Sequence, residues 1–251
     1  MRKINIGEEQ VAIYEAGDSI ADILAIICPW RLDTGAYAHM LSHTKLLASY
    51  GIHALSFDPL WTWNSSWLID LYTITQYIQT VHDIVTHFGN KKTFVLWHSM
   101  WWFVSMMAWM TNKNIAARWA IMSPYKNIKT KEGTQERAKK WYKVSKRDNP
   151  ESVTSSTQTT VFELPYAYVE DVILYDATPL LQQCTKPKFF VAWLQDTTII
   201  PQKIHEAYNI AANPKILYDV DLHHDYREQT ETITIVENNI RDFVENHSWL
   251  V

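Results

Sequence analysis

Seven short apolar runs, most of them separated by helical patterns, constrain this chain more than any other feature. They are "QVAIYEA" (10–16), "DILAIIC" (22–28), "IHALSFD" (52–58), "TFVLW" (93–97), "ARWAIMS" (117–123), "KFFVAWL" (188–194) and "KILYDVD" (215–221). Most are continuous rather than alternating, the pattern of strands buried on both faces. Between them, "YAHMLSHTKLLASYG" (37–51) and "LIDLYTITQYIQTVHDIVTHFG" (68–89) read as helices that end on a glycine. "PQKIHEAYNIAA" (201–212) opens on proline, as helices often do, and "ETITIVENNIRDFVENH" (231–247) supplies the last helical pattern. Alternating strands and helices predict an α/β fold with a mostly parallel central sheet. A length of 251 residues suits one domain, and a hydrophobic content of 47% suffices for its core.

Residues 125–185 break the alternation. The segment is Lys-rich, then Ser/Thr-rich, and reads as an insertion over one end of the sheet. The basic stretch from Lys126 to Arg147 is expected to be a solvated helix face. The apolar and aromatic residues of "FELPYAYVEDV" (162–172) are expected either to line a pocket or to pack on the core.

A net charge of −4 gives no reason to expect nucleic acid as a partner. Cys28 and Cys184 are too few for a disulfide framework and read as free thiols of a reducing compartment. "MRKINIGEEQ" lacks the apolar core of a secretory signal, so a cytoplasmic location is expected.

The run "FVLWHSMWWFVSMMAWM" (94–110) is apolar enough to raise the question of a membrane span. His98 and Ser99 within it argue against one, and so does its central place in an α/β pattern. Strand, sharp turn and helix is the better reading, and a serine at such a turn is the setting of a nucleophile elbow. An elbow needs small residues two positions before and two after the serine, because strand and helix backbones approach closely there. Both positions are tryptophan here, Trp97 and Trp101.

Tryptophan numbers 12 and glycine only 6, where usage of about 7% would give about 18 glycines. With glycine at 97, 101 and 102 the run becomes "FVLGHSMGGFVSMMA", which resembles the elbow of the α/β-hydrolase family. The same exchange makes "DPLWTWNS" (58–65) similar to that family's D-x-x-G-x-G-x-S loop. It makes "IICPWR" (26–31) similar to the His-Gly oxyanion turn, with Pro29 in place of His. "FVAWLQDTTIIP" (190–201) becomes similar to the G-x-x-D-x-x-V-P that carries the acid, and "LHHDYRE" (222–228) is similar to the final histidine region. The motifs fall in the family's order and span almost the whole chain.

The resemblance implies a single α/β-hydrolase domain with an eight-stranded sheet and a small cap at about 125–185. It is similar to carboxylesterases, feruloyl-type esterases and monoacylglycerol-lipase-like enzymes. Ser99 is the implied nucleophile, His224 the base and Asp196 the acid, in the family's order of Ser, acid, His. His223 is the rival base, and Asp219, Asp221 and Asp225 are rival acids. The backbone N–H groups of Met100 and Arg31 are the implied oxyanion donors. A small-molecule ester is the implied substrate, with no cofactor and no stable membrane insertion. A peptidase or acyltransferase on the same fold is an alternative, as is a protein whose elbow tryptophans block catalysis. His39 and His43, four apart, lack a third ligand at metal-site spacing and are read as surface or turn histidines. Cys28 is read as a packed strand residue.

Tryptophans at motif glycines suggest codon reading. Some bacteria read UGA as glycine and another variant code reads it as tryptophan. Deliberate substitution is the rival explanation, and UGG codons at Trp30, Trp61, Trp63, Trp67, Trp97, Trp101, Trp102 and Trp193 would exclude the first.

Overall fold

The structure is a computed structural model and describes residues 1–66, 68–98, 102–121, 145–150 and 159–246. A central eight-stranded sheet runs in the order β1 (Arg2–Ile6), β2 (Glu9–Ala16), β4 (His53–Phe57), β3 (Ile23–Cys28), β5 (Lys92–His98), β6 (Ile115–Ile121), β9 (Lys188–Trp193), β10 (Lys215–Val220). Strands β1, β2 and β4 pair antiparallel, and every pair from β4 to β10 is parallel. This is the mostly parallel sheet expected from the continuous apolar runs. Strands β4 and β9 are buried at every position, because helices cover both faces.

The connections are α1 (Ala38–Ala48), α2 (Ile74–His87), α3 (Trp102–Thr111) and α6 (Pro201–Ile210), and α7 (Thr230–Asn246) follows the last strand. Side chains three apart on β5 show the two layers. Phe94 meets Phe243 of α7 at 5.3 Å between ring centroids, and Trp97 meets Tyr77 of α2 at 5.6 Å. Helix α3 has 10 residues, and among the described residues no helix is long and apolar enough to cross a membrane.

The helix expected over 68–89 is shorter than its pattern. A single 3₁₀ turn occupies Ile69–Leu71, and α2 begins at Ile74. Thr73 explains the break: it is extended, and its side chain caps the helix by accepting the Gln76 N–H. Between β6 and β9 the chain forms a two-stranded antiparallel hairpin, β7 (Ser145–Asp148) with β8 (Thr159–Phe162), then α4 (Tyr166–Val172) and α5 (Thr178–Gln183). The basic stretch expected to be a helix face therefore ends in a strand, where Arg147 forms an ion pair; its part before residue 145 lies outside the described residues.

Candidate active site

The parallel strands end together at Cys28, His98, Ile121, Trp193 and Val220, and loops beyond such ends are where open α/β sheets place their sites. Ser99, Met100 and Trp101 follow β5 directly and lie outside the described residues, as does Trp67.

Asp196 and His224, far apart in sequence, meet at this end. After β9 the chain turns tightly, with Asp196 N–H donating to the Trp193 carbonyl at 3.2 Å. Two further bonds tie this turn to the end of β10: Leu194 N–H to the Val220 carbonyl and Gln195 N–H to the Leu222 carbonyl. Asp196 Oδ1 accepts the backbone N–H groups of Thr198 at 2.6 Å and Ile199 at 2.8 Å. Its Oδ2 lies 2.6 Å from His224 Nδ1. The Asp196 side chain is fully buried and that of His224 keeps 14% exposure, so the imidazole can be approached while its partner cannot.

The rivals are engaged elsewhere. His223 is exposed. Asp219 pairs with His205 at 2.7 Å, Asp221 accepts from Gln195 at 2.8 Å, and Asp225 lies 2.9 Å from Arg227 Nε. His39 and His43 are not surface histidines: they are 5% and 0% exposed. His43 Nε2 is 2.8 Å from the Tyr226 hydroxyl, and its Nδ1 is 3.4 Å from Glu237. Helix α1 turns both rings inward beneath the loop that carries His224. Burial and the neighbouring His43 push the basicity of His39 well below the usual imidazole range. Cys28 is buried, and burial pushes its thiol pKa up.

The turn after β3 is held from several sides. Leu32 has φ 61°, in the left-handed region that a branched side chain rarely adopts. Its N–H donates to the Tyr72 hydroxyl at 3.2 Å, and its carbonyl accepts the Trp63 indole N–H at 2.8 Å. The Arg31 carbonyl accepts from Arg147 of the hairpin at 2.8 and 3.0 Å. Asp58, at the end of β4, accepts from Gly35 N–H and Asn64 N–H, both at 3.0 Å, and so binds this turn to the 58–65 loop. Gly35 is required there, since a Cβ would lie 2.5 Å from the Phe57 nitrogen.

Asp33 is 1% exposed and sits between two arginines from distant segments. Arg227 donates to its Oδ2 at 2.7 Å. Arg147 Nε lies 2.9 Å from Oδ1, but its N–H points at the Arg31 carbonyl, so this contact is electrostatic rather than a hydrogen bond. Burial raises the Asp33 carboxyl to about 6, against the opposing pull of Arg227 and Arg147. No motif marks Asp33, Tyr72 or Arg227, and Arg147 enters the sequence only as the end of a basic run. Their one signal is proximity: Asp33 lies two residues after Arg31, and Arg227 three after His224.

Two of the tryptophans occupy unusual backbone. Trp61 has φ 74° and Trp63 φ 48°, both in the left-handed region that glycine favours. Trp61 and Trp97 are buried, and neither indole N–H has a hydrogen-bond partner among the described residues. Trp30 lies against the His224 ring, with centroids 4.9 Å apart, and Trp193 packs on Tyr226.

No protein-family model matches the sequence, and no curated protein matches it. Solved structures match it over nearly its whole length. A hydrolase from Pseudomonas aeruginosa PA01 is similar with a TM-score of 0.75 and 14% identity, covering 97% of this chain and 98% of that one. Est1E from Butyrivibrio proteoclasticus, with ferulic acid bound, gives a TM-score of 0.72 and 15% identity over 97% and 98%. An esterase from Thermogutta terrifontis gives 0.72 and 14% over 98% and 99%. The chain has the α/β-hydrolase fold.

Proposed function

We propose that the protein is a serine hydrolase that cleaves carboxylic esters through an acyl-enzyme. The observation that carries this reading is the Asp196–His224 pair, a buried carboxylate on Nδ1 of a partly exposed imidazole, in the loops that follow β9 and β10. With Nδ1 engaged, Nε2 is the nitrogen that takes the Ser99 proton. Ser99 Oγ attacks the ester carbonyl carbon as that proton moves to His224. The resulting oxyanion is met by the N–H groups of Arg31 and Met100. Collapse expels the alcohol, which takes the proton from His224. Water then attacks the acyl-enzyme, His224 accepts its proton and returns it to Ser99, and the carboxylic acid leaves. Asp196 holds the imidazole in the required tautomer and stabilises its cationic form. The fold alone does not separate ester from peptide or acyl-transfer substrates, but the neighbours named as esterases favour the first.

A second reading is favoured by the tryptophans: a hydrolase impaired because tryptophan stands where glycine belongs. The left-handed backbone at Trp61 and Trp63, the buried unpartnered indole of Trp97 and the cover that Trp30 gives His224 support it. One experiment tests both. The chain and a variant with glycine at 30, 61, 63, 97, 101, 102 and 193 are treated with a fluorophosphonate probe, each with a Ser99→Ala control. Serine-dependent labelling of the chain itself supports an active enzyme. Labelling of the glycine variant alone supports the impaired one. Labelling of neither refutes the hydrolase. The codons of the gene decide between recoding and substitution.

A further inference from the structure

Asp33 belongs to no catalytic pair, yet it is among the most deeply buried charges in the molecule. Its two arginines come from segments with no other reason to share a partner. Arg147 belongs to β7 in the inserted hairpin, and Arg227 follows His224 by three residues. Each arginine also grips the site independently. Arg147 donates to the carbonyl of Arg31, the residue whose N–H the proposed mechanism uses. Arg227 stacks on Trp30 and Tyr37, 5.2 Å from each ring, and pairs with Asp225 beside His224. The hairpin has further attachments to the same region: Tyr37 donates to the Asp148 carbonyl at 2.7 Å, and Phe162 packs on Trp63. Between them stands Leu32, whose left-handed backbone persists only because its surroundings determine it.

We propose that Asp33 is a positioning residue that, through Arg147 and Arg227, fixes the oxyanion turn against both the inserted hairpin and the His224 loop. Placement of an oxyanion donor and of the general base then depends on one buried charge. The assignment rests on the hydrolase reading for its catalytic consequence, but the mechanical coupling stands apart from it. Removing the charge leaves both arginines without their common partner and lets two segments move independently. A displacement of about 1 Å at such a site lowers turnover by up to about 100-fold.

The test uses Asp33→Asn, which keeps the side-chain shape and removes the charge, beside Arg147→Met and Arg227→Met. Hydrogen exchange is followed in peptides covering 145–150 and 222–229. Hydrolysis of p-nitrophenyl acetate is measured per active site, counted by fluorophosphonate titration. Asp33→Asn should accelerate exchange in both segments, Arg147→Met mainly in the first and Arg227→Met mainly in the second. Turnover per titrated site of Asp33→Asn should fall by about 10- to 100-fold with KM changed less than about threefold; counting active sites keeps loss of folded protein out of this figure. Unchanged exchange in either segment of Asp33→Asn overturns the coupling. Unchanged turnover overturns the positioning role. If the unsubstituted chain neither hydrolyses nor labels, Asp33→Asn is measured in the glycine variant described above; if that variant is also inert the hydrolase reading fails, and the exchange pattern still decides the coupling.

Discussion

The backbone at Trp61 yields a test of what that position was built for. Two variants, Trp61→Gly and Trp61→Ala, remove the same indole, so the lost packing nearly cancels between them. What remains is the response of the two residues to φ 74°. A left-handed residue with a Cβ costs about 1–2 kcal/mol relative to glycine. Glycine gives back about 0.4–1 kcal/mol through the freedom of its unfolded chain. The glycine variant should therefore be the more stable by about 1 kcal/mol. Trp109 supplies the control, because it is fully buried within α3 at helical backbone. There alanine should exceed glycine by about 1 kcal/mol, the ordinary helix preference. Both Trp61 variants should stay folded. Losing a buried ring costs about 3–5 kcal/mol, but removal of an unpartnered indole N–H offsets about 1–3 kcal/mol of that. The assay is urea unfolding of all four variants, where 1 kcal/mol corresponds to about 0.3 M in midpoint for a slope of about 3 kcal/mol/M. The diagnostic is a reversal of sign between the two sites. An alanine variant as stable as the glycine variant at position 61 would refute the reading of that position as a glycine site.

Other parts of the structure carry their own tests. His224→Ala should lower fluorophosphonate labelling of the active form by roughly 10³-fold or more, whereas His223→Ala should leave it within a few-fold; equal losses would leave the base unassigned. Tyr72→Phe removes the acceptor of a buried N–H and should destabilise the fold by about 1–3 kcal/mol in urea, with turnover lowered at constant KM. Asp33 predicts a pH dependence. Its carboxyl is raised from 3.8 to about 6, so the folded chain holds a proton that the unfolded chain releases between those values. Its contribution to stability therefore falls as pH rises through that window and is level above it. The urea midpoint of Asp33→Asn relative to the unsubstituted chain should rise from pH 4 to 6 and then hold; a difference that stays flat throughout would place the carboxyl at its ordinary value.

Most strands are readable because a parallel sheet covered on both faces leaves continuous apolar runs, and those runs locate the loops that follow them. Asp196 and His224 follow from those loops and from motif likeness, and they lie 2.6 Å apart. Other features depend on partners that local pattern does not record. The apolar period over 68–89 continues through Thr73, but capping decides where a helix begins, and the Thr73 hydroxyl starts α2 late. His39 and His43 look like polar interruptions of a helix and become interior residues because Tyr226 and Glu237 arrive from the last quarter of the chain. β7 carries too few apolar residues to read as a strand, and its pairing with β8 joins segments separated by ten residues.

Asp33 shows why sequence locates reacting groups more readily than it locates what holds them. A nucleophile, a base and an acid must each follow a strand end, so chain order constrains them. A residue that positions them need only lie where two other segments converge. Arg147 is 114 positions beyond Asp33, and Arg227 is 194. A buried carboxylate between two arginines is poor evidence for stability, since its desolvation offsets much of the attraction. Its retention beside a left-handed turn makes sense when the gain is geometry: one charge in a dry site can hold three backbone segments in a single arrangement that apolar packing alone would leave free to slide.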